Sequence, residues 1–322
     1  LTYLQLRNEY INFFKSKDHV DIPSAPLTPE DDPSLLFVNA GMFPLVPFLK
    51  GEKHPLGNRL VNSQRCLRTG DIDEVGDKYH STTFEMLGNW SLNDYFKKEA
   101  IEMTMEFFID VLQIDINRIY VSVFKGEENI PKDNISIEIW KNVFSKYGLN
   151  ERIQEFGKKN NWWGLATGGP CGPDSEIFFD TGKQPCSNNC NVNCNCGKYL
   201  EIGNNVFMEY LLENGKYLPL GRHNVDFGGG LERISMLSQN VDSVYEIDIY
   251  KPILDEVEKL SKNNNLHSQR IITDHIKAAV LVIMDGVKPS NTMQGYVLRR
   301  LIRRAMRHAR TVGIENGFTS II

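Results

Sequence analysis

The chain has 322 residues, 41% hydrophobic and 24% charged, the proportions of an ordinary globular protein long enough for two or three domains. No apolar run approaches the roughly 20 residues of a membrane span, and the opening LTYLQLRNEY lacks a signal-peptide profile, so a cytoplasmic protein is expected. The net charge of −5 conceals an asymmetry: Lys288, Arg299, Arg300, Arg303, Arg304, Arg307 and Arg310 crowd residues 286–310 with no acid among them, which points to a polyanion bound at one place by an acidic body.

In chain order, Leu4, Tyr10, Ile11 and Phe14 recur with helical period over residues 1–20, and the turn-rich DIPSAPLTPEDDPS ends that helix. Residues 35–41 (LLFVNAG), 61–71 (VNSQRCLRTGD) and 80–91 (HSTTFEMLGNWS) read as strands; the polar stretch between the last two is too long for a tight hairpin. A helix is expected over 94–113, a strand over 118–124 and a helix over 134–147. Strands at 176–180, 199–213 and 217–220 follow, interrupted by an Asn- and Cys-rich insertion at 183–198. Beyond about Tyr245 the pattern is helical. Strands follow strands with helices grouped between them, which predicts an α+β domain on an antiparallel sheet, since a parallel sheet needs regular βαβ alternation. The expected division is 1–244 for that domain and 245–322 for a helical one. The chain begins without Met and ends on Ser320, Ile321 and Ile322 with no helix stop, so a piece of a longer protein is expected.

Several stretches carry chemistry. Arg65 and Arg68 on one strand and Phe84 on the next can present a guanidinium to a phosphate and a ring to a base. VDFGGGLERI (225–234) sets three glycines before a helix; it matches neither a P-loop nor a complete GxGxxG, and alone it reads as a tight turn. CSNNCNVNCNC (186–196) places Cys186, Cys190, Cys194 and Cys196 close enough for a tetrahedral zinc site, with free thiols in an Asn-rich loop as the alternative. Cys66 and Cys171 read as packed residues. In YVLRRLIRRAMRHAR (296–310), Leu298, Leu301, Ile302, Ala305 and Met306 form an apolar stripe and the arginines lie elsewhere, so one side packs while the other faces phosphate.

Five blocks, DPSLLFVNAGM, QRCLRTG with TTFEMLGNWSLNDYFK, GGPCGPDSEIFFD, VDFGGGLERI and DHIKAAVLVIMDGVKPSNTMQGYVLRRLIRRAMRH, together resemble alanyl-tRNA synthetase, in collinear order over essentially the whole chain. The resemblance implies a class II synthetase core, an antiparallel sheet flanked by helices, with the first, second and fourth of these blocks as its three class motifs. It implies that alanine is activated with ATP and Mg²⁺ and transferred to the 3′ end of tRNA(Ala). Arg68 then matches the arginine on the α-phosphate, Phe84 the ring under adenine, and Arg233 the arginine covering the nucleotide and reaching its terminal phosphates. His80 is expected near phosphate, and Glu201 and Asn204 as ATP or Mg²⁺ ligands. For alanine, Asp226 matches the ammonium-binding acid and Trp163 and Val206 the methyl-lining residues. Met86 is expected nearby, with Gly228 and Gly230 letting the backbone approach. Asn291 matches a residue that reads the G·U pair of the acceptor stem, and the arginines at 299, 300, 303, 304 and 307 the start of the RNA-binding helices. The family's editing domain is expected further along a longer chain, so these 322 residues are expected to misacylate with serine or glycine. Three positions depart from the family pattern: Gly203 for Trp, Phe227 for Thr and Thr167 for Asp, each expected to touch the pocket rim or its support and to weaken activity. A paralogue acting on another small amino acid, and an RNA-binding module without chemistry, remain alternatives.

Overall fold

The computed structural model describes residues 1–29, 35–165 and 168–315, so Thr167 and the last residues of the chain lie outside the described residues. Helix α1 (Tyr3–Lys15) is started by Thr2, whose side chain and that of Gln5 cap each other's backbone, and it buries Tyr3, Leu6, Tyr10 and Phe14 at helical spacing. There follow β1 (Val20–Asp21), α2 (Val46–Lys50), β2 (Arg59–Leu67), β3 (Thr83–Leu92), α3 (Lys97–Glu106), β4 (Ile119–Phe124), α4 (Asn134–Lys146), β5 (Ile153–Phe156), α5 (Lys158–Asn161) and β6 (Trp162–Gly164). The longest strands come next, β7 (Gly169–Asp180), β8 (Tyr199–Glu213) and β9 (Lys216–Gly230), and then four helices, α6 (Leu231–Ser238), α7 (Lys251–Leu260), α8 (Leu266–Met284) and α9 (Met293–Thr311).

Among the described residues these strands form one sheet in the order β1-β2-β3-β9-β8-β7-β4-β5, with β6 beside β7. The architecture is α+β as expected. The sheet is antiparallel through its middle, whereas β1 runs parallel to β2 and β4 parallel to β5. Register aligns Trp90, Asp226, Val206 and Asp174 across four strands, and Gly88, Gly228, Asn204 and Glu176 in the next row of the same face. The opposite face carries Leu87, Val225, Phe227 and Phe207 into the main core, where they meet Tyr10 and Phe14 of α1 and Phe107 and Phe108 just past α3. Helices thus cover one face, and the other is left for a site. The same core takes in Tyr245, Tyr250 and Leu254. Ala278, Val282, Leu298 and Leu301 of α8 and α9 pack in a smaller cluster with Leu27, Phe37, Leu67 and Ile72.

Two local expectations need correction. Residues 35–41 form no strand: Val38 makes one backbone crossing, its N–H donating to Leu27 O (2.8 Å) and its carbonyl accepting from Leu67 N (2.9 Å), while the consecutive Phe37 and Val38 are both buried. The glycine run is strand, not turn. Gly228, Gly229 and Gly230 pair with Gly88, Leu87 and Met86 of β3, and the helix begins only at Leu231. At 228 a Cβ would stand 3.0 Å from Met86 Sδ, so the absence of a side chain there leaves the Met86 thioether its place over the strand.

Candidate active site on the open sheet face

A cleft opens where the end of β2, the loop after it, β3, β8, β9 and α6 converge, and Arg68, His80, Phe84, Met86, Glu201, Gly228, Gly230 and Arg233 all line it. These predicted residues come from four segments of the sequence, and sheet pairing brings them together. Arg68 directly follows β2; its Nε donates to Asn39 O at 3.1 Å and its guanidinium stands 4.9 Å from the centre of the Phe84 ring. Arg233, in the first turn of α6, reaches across to Glu201 at 3.4 Å. His80 is fixed by Asp77, which accepts from the His80 backbone N–H (2.8 Å) and contacts its Nδ1 at 2.7 Å. That hydrogen bond holds the imidazole above its ordinary pKa. Asp77 itself falls to about 2, because bonds from His80 and Tyr79 outweigh its burial.

Asn204, Val206 and Asp226 do not line the cleft but follow it along the same sheet face, one or two rungs in. Val206 packs with Trp90, Met42 and the half-buried Trp163 in one apolar cluster, which brings together the two residues expected to line the methyl. Trp90 was not anticipated: its ring lies so close over Gly88 that a Cβ at 88 would come within 2.3 Å of it. Burial pushes the Asp226 carboxyl up to about 7.

The sequence reading also missed two acids, Asp174 and Glu176, which β7 places two residues apart on the site face. Asp174 is pushed up to about 8, chiefly by burial and also by Glu201, against hydrogen bonds from Asn161 and Asn204. Glu176 is raised by burial and by Glu201 and Asp174, while Ser122 Oγ donates to it at 3.0 Å. Asn204 Oδ1 is buried with no hydrogen-bond partner. Asp174, Glu176 and the orphaned Asn204 amide oxygen are hard-oxygen donors on one sheet face, of the kind that suits Mg²⁺. The two-residue spacing was the signal, and it was lost because the strand was started at Glu176 instead of Gly169.

The departures at 203 and 227 prove to be one feature, and it faces away from the cleft. Phe227 is buried in the helix-covered core, 6.2 Å from the Tyr10 ring and 6.4 Å from Phe108, and a Cβ on Gly203 would lie 2.8 Å from its ring carbons. The expectation that they touch the pocket rim is therefore corrected: strand alternation turns both to the back of the sheet.

A second groove is lined by Asn291, Arg299, Arg300, Arg303, Arg304, Arg307 and Arg310, with Asp73, Tyr296 and Met306. All the predicted cationic residues of α9 share it. The apolar side of α9 is Val297, Leu298, Leu301, Ala305 and Ala309; Met306, expected on that stripe, is 44% exposed because it lies a further 100° round the helix from Ala305. Arg65 is not at the cleft: it pairs with Asp285 at 3.1 Å, tying the sheet to the end of α8. Cys66 and Cys171 are buried as expected, and the Sγ atoms of Cys186, Cys190 and Cys194 lie within 4.8 Å of one another.

Residues 5–322 match the family described as tRNA synthetases class II (A). The chain belongs to that family. Among curated relatives, the Alanine–tRNA ligase of Borreliella afzelii (strain PKo) is 51% identical over 99% of this chain and 55% of its own length. That of Treponema denticola is 49% identical over 100% of the chain and 55% of its own, and that of Acetivibrio thermocellus 43% identical over 98% and 36%. The chain thus spans about half the length of the first two relatives and about a third of the last. Aspartyl tRNA synthetase from Entamoeba histolytica aligns with 77% of the chain and 57% of its own at 11% identity and a TM-score of 0.44. No described helix is long and apolar enough to cross a membrane.

Proposed function

We propose that the chain activates alanine with ATP and passes the alanyl group to the 3′ end of tRNA(Ala). The observation that carries this reading is the shared sheet face, on which Arg68, Phe84, Glu201 and Arg233 stand beside the Asp226, Val206 and Trp163 group. In the first step an alanine carboxylate oxygen attacks the α-phosphorus of ATP and the bond to the leaving pyrophosphate breaks. The chain supplies no nucleophile, so its work is positioning and charge neutralisation. Arg68 swings from the Phe84 ring to the α-phosphate, which frees the ring for adenine; Arg233 leaves Glu201 for the terminal phosphates. His80, whose imidazole the Asp77 hydrogen bond holds above its ordinary pKa, stands ready to add a further donor to the phosphates. Glu201 and Asn204, with Asp174 and Glu176 behind them, would hold Mg²⁺, which supplies charge neutralisation between phosphate oxygens when bound. Asp226 as carboxylate takes the ammonium of alanine, and Trp163, Val206 and Trp90 close around the methyl.

The groove of α9 is the proposed RNA site, with Asn291 at the acceptor stem and Arg299, Arg300, Arg303, Arg304 and Arg307 on phosphates. Zn²⁺ on the four clustered cysteines belongs to the same reading, in a cytoplasmic setting where thiols stay reduced. Alanine-dependent exchange of pyrophosphate into ATP tests the proposal. We expect exchange with alanine in the wild-type chain and its loss, by about a thousandfold or more, in Arg68→Ala. Exchange with serine or glycine but not alanine would overturn it.

A further inference from the structure

The cysteine-rich insertion is built as a knot and leans on the cleft. Besides the three sulfurs already described, Cys196 Sγ is 3.7 Å from that of Cys190. A tetrahedral zinc with Zn–S bonds of about 2.3 Å sets its sulfurs about 3.8 Å apart, whereas a disulfide needs about 2.05 Å. Cys190 and Cys196 thus stand at ligand spacing, and Cys186, Cys190 and Cys194 within an ångström or so of it, so that a small shift of Cys196 towards the other three completes the set. The backbone supports the same reading: Cys190 N–H donates to Ser187 O and Cys194 N–H to Asn191 O, both at 3.1 Å, and the Asn191 N–H points at Cys194 Sγ at 3.4 Å. An amide aimed at sulfur favours the thiolate that a metal requires. Nor is the loop free at its tip. Val192 is 2% exposed, and its N–H donates to Gln154 on β5 at 3.2 Å.

The closing residue of the knot lies against Tyr79, a residue of the cleft. Gly197 follows Cys196 directly with φ +77, and a Cβ on it would stand 2.6 Å from Lys183 Nζ and 3.2 Å from Tyr79 Cε2. Lys183 Nζ in turn donates to the Tyr79 hydroxyl at 2.9 Å, and Thr181 Oγ1 donates to Gly197 O at 2.7 Å, which fixes the loop's exit beside its entry. Tyr79 lines the cleft with His80, and the two backbone N–H groups share one Asp77 oxygen.

We propose that Cys186, Cys190, Cys194 and Cys196 hold one structural Zn²⁺, and that this knot braces Tyr79 and thereby His80 against the nucleotide. The second half rests on the adenylation reading; the metal site stands without it. Zinc per chain is measured on protein made in zinc-supplemented medium, then nucleotide affinity with a fluorescent ATP analogue and the KM for ATP in exchange, before and after chelation. We expect one zinc per chain and a nucleotide affinity and ATP KM that worsen about threefold or more on chelation, return with added zinc, and leave the alanine KM unchanged. Lys183→Met is expected to keep the zinc and reproduce part of the ATP effect. Zinc below one-tenth per chain by the same order-of-magnitude count, or a mass loss showing a Cys190–Cys196 disulfide in its place, would overturn the site. Loss of zinc without change in nucleotide affinity would overturn the brace. Zinc-dependent nucleotide affinity supports the brace even where alanine elicits no exchange, so the two readings fail separately.

Discussion

Asp226 occupies the centre of the sheet, with its carboxyl raised from an ordinary 3.8 to about 7. The cause is burial, so the charged form is what folding disfavours. Since the folded value is the higher one, the group's contribution to stability is complete below about 4 and is lost as pH rises towards 7. Above neutrality the chain holds a buried ionised carboxylate, the state that an incoming ammonium group would compensate. Two results follow. The KM for alanine should fall about tenfold for each pH unit between about 5.5 and 7 and level off above, in exchange assays at saturating ATP. Asp226→Asn should abolish alanine-dependent exchange yet unfold later than wild type in denaturant at pH 8, with the gap between 3.8 and about 7 capping the gain at ~4 kcal/mol. A variant less stable than wild type at pH 8 would show that polar contacts stabilise the ionised carboxylate against its burial.

Strands β8 and β9 show what could and could not be read from the chain. Arg68, Phe84 and Arg233 were legible because each sits in a block whose neighbours also fit. The glycines of β9 misled, since three in a row carry no side-chain alternation and weak strand propensity; only pairing with β3, about 140 residues away in sequence, makes them a strand. For the same reason the face taken by Phe227 was misjudged, and with it the meaning of Gly203. The two exchange volume: the ring fills the space that a larger residue at 203 would occupy. Phe227→Thr alone should therefore cost about 3 kcal/mol or more through the cavity left beside Tyr10 and Phe108, and Gly203→Trp alone should be disruptive through overpacking. Together they should cost less than their sum by about 2 kcal/mol, measured as a double-mutant cycle in denaturant unfolding. Because both residues back the sheet, the KM values for ATP and alanine in the double variant should stay within about twofold of wild type. An additive cycle would separate the two departures again.

Across the whole molecule, one buried chain of polar groups links the basic groove to the cleft. Asp274, 0% exposed in α8, accepts from the Thr82 N–H (2.8 Å) and from Thr82 Oγ1 (2.5 Å) at the entry to β3, between His80 and Phe84. His275 Nδ1 donates to Asp274 at 2.8 Å, and its Nε2 meets an Arg304 nitrogen at 2.7 Å. Arginine can only donate, so the ring must carry its proton on Nδ1, and every member of the relay is satisfied in that tautomer alone. None of this was visible in the sequence, because Thr82 and Asp274 are 192 residues apart and a His next to an Asp in a helix says nothing of what either faces. Arg304 lines the groove, so a phosphate bound there competes with His275 for the same guanidinium. Withdrawal of Arg304 leaves Nε2 without a donor and loosens the hold of Asp274 on Thr82, which alters the mouth of the cleft. An acceptor-stem RNA should therefore shift the KM for ATP by about twofold or more in the wild-type chain but not in Arg304→Met, where the relay is already broken. Asp274→Asn should raise the ATP KM with or without RNA, since it strands a buried donor at Thr82. Equal effects of RNA on wild type and Arg304→Met would show that the groove and the cleft act independently.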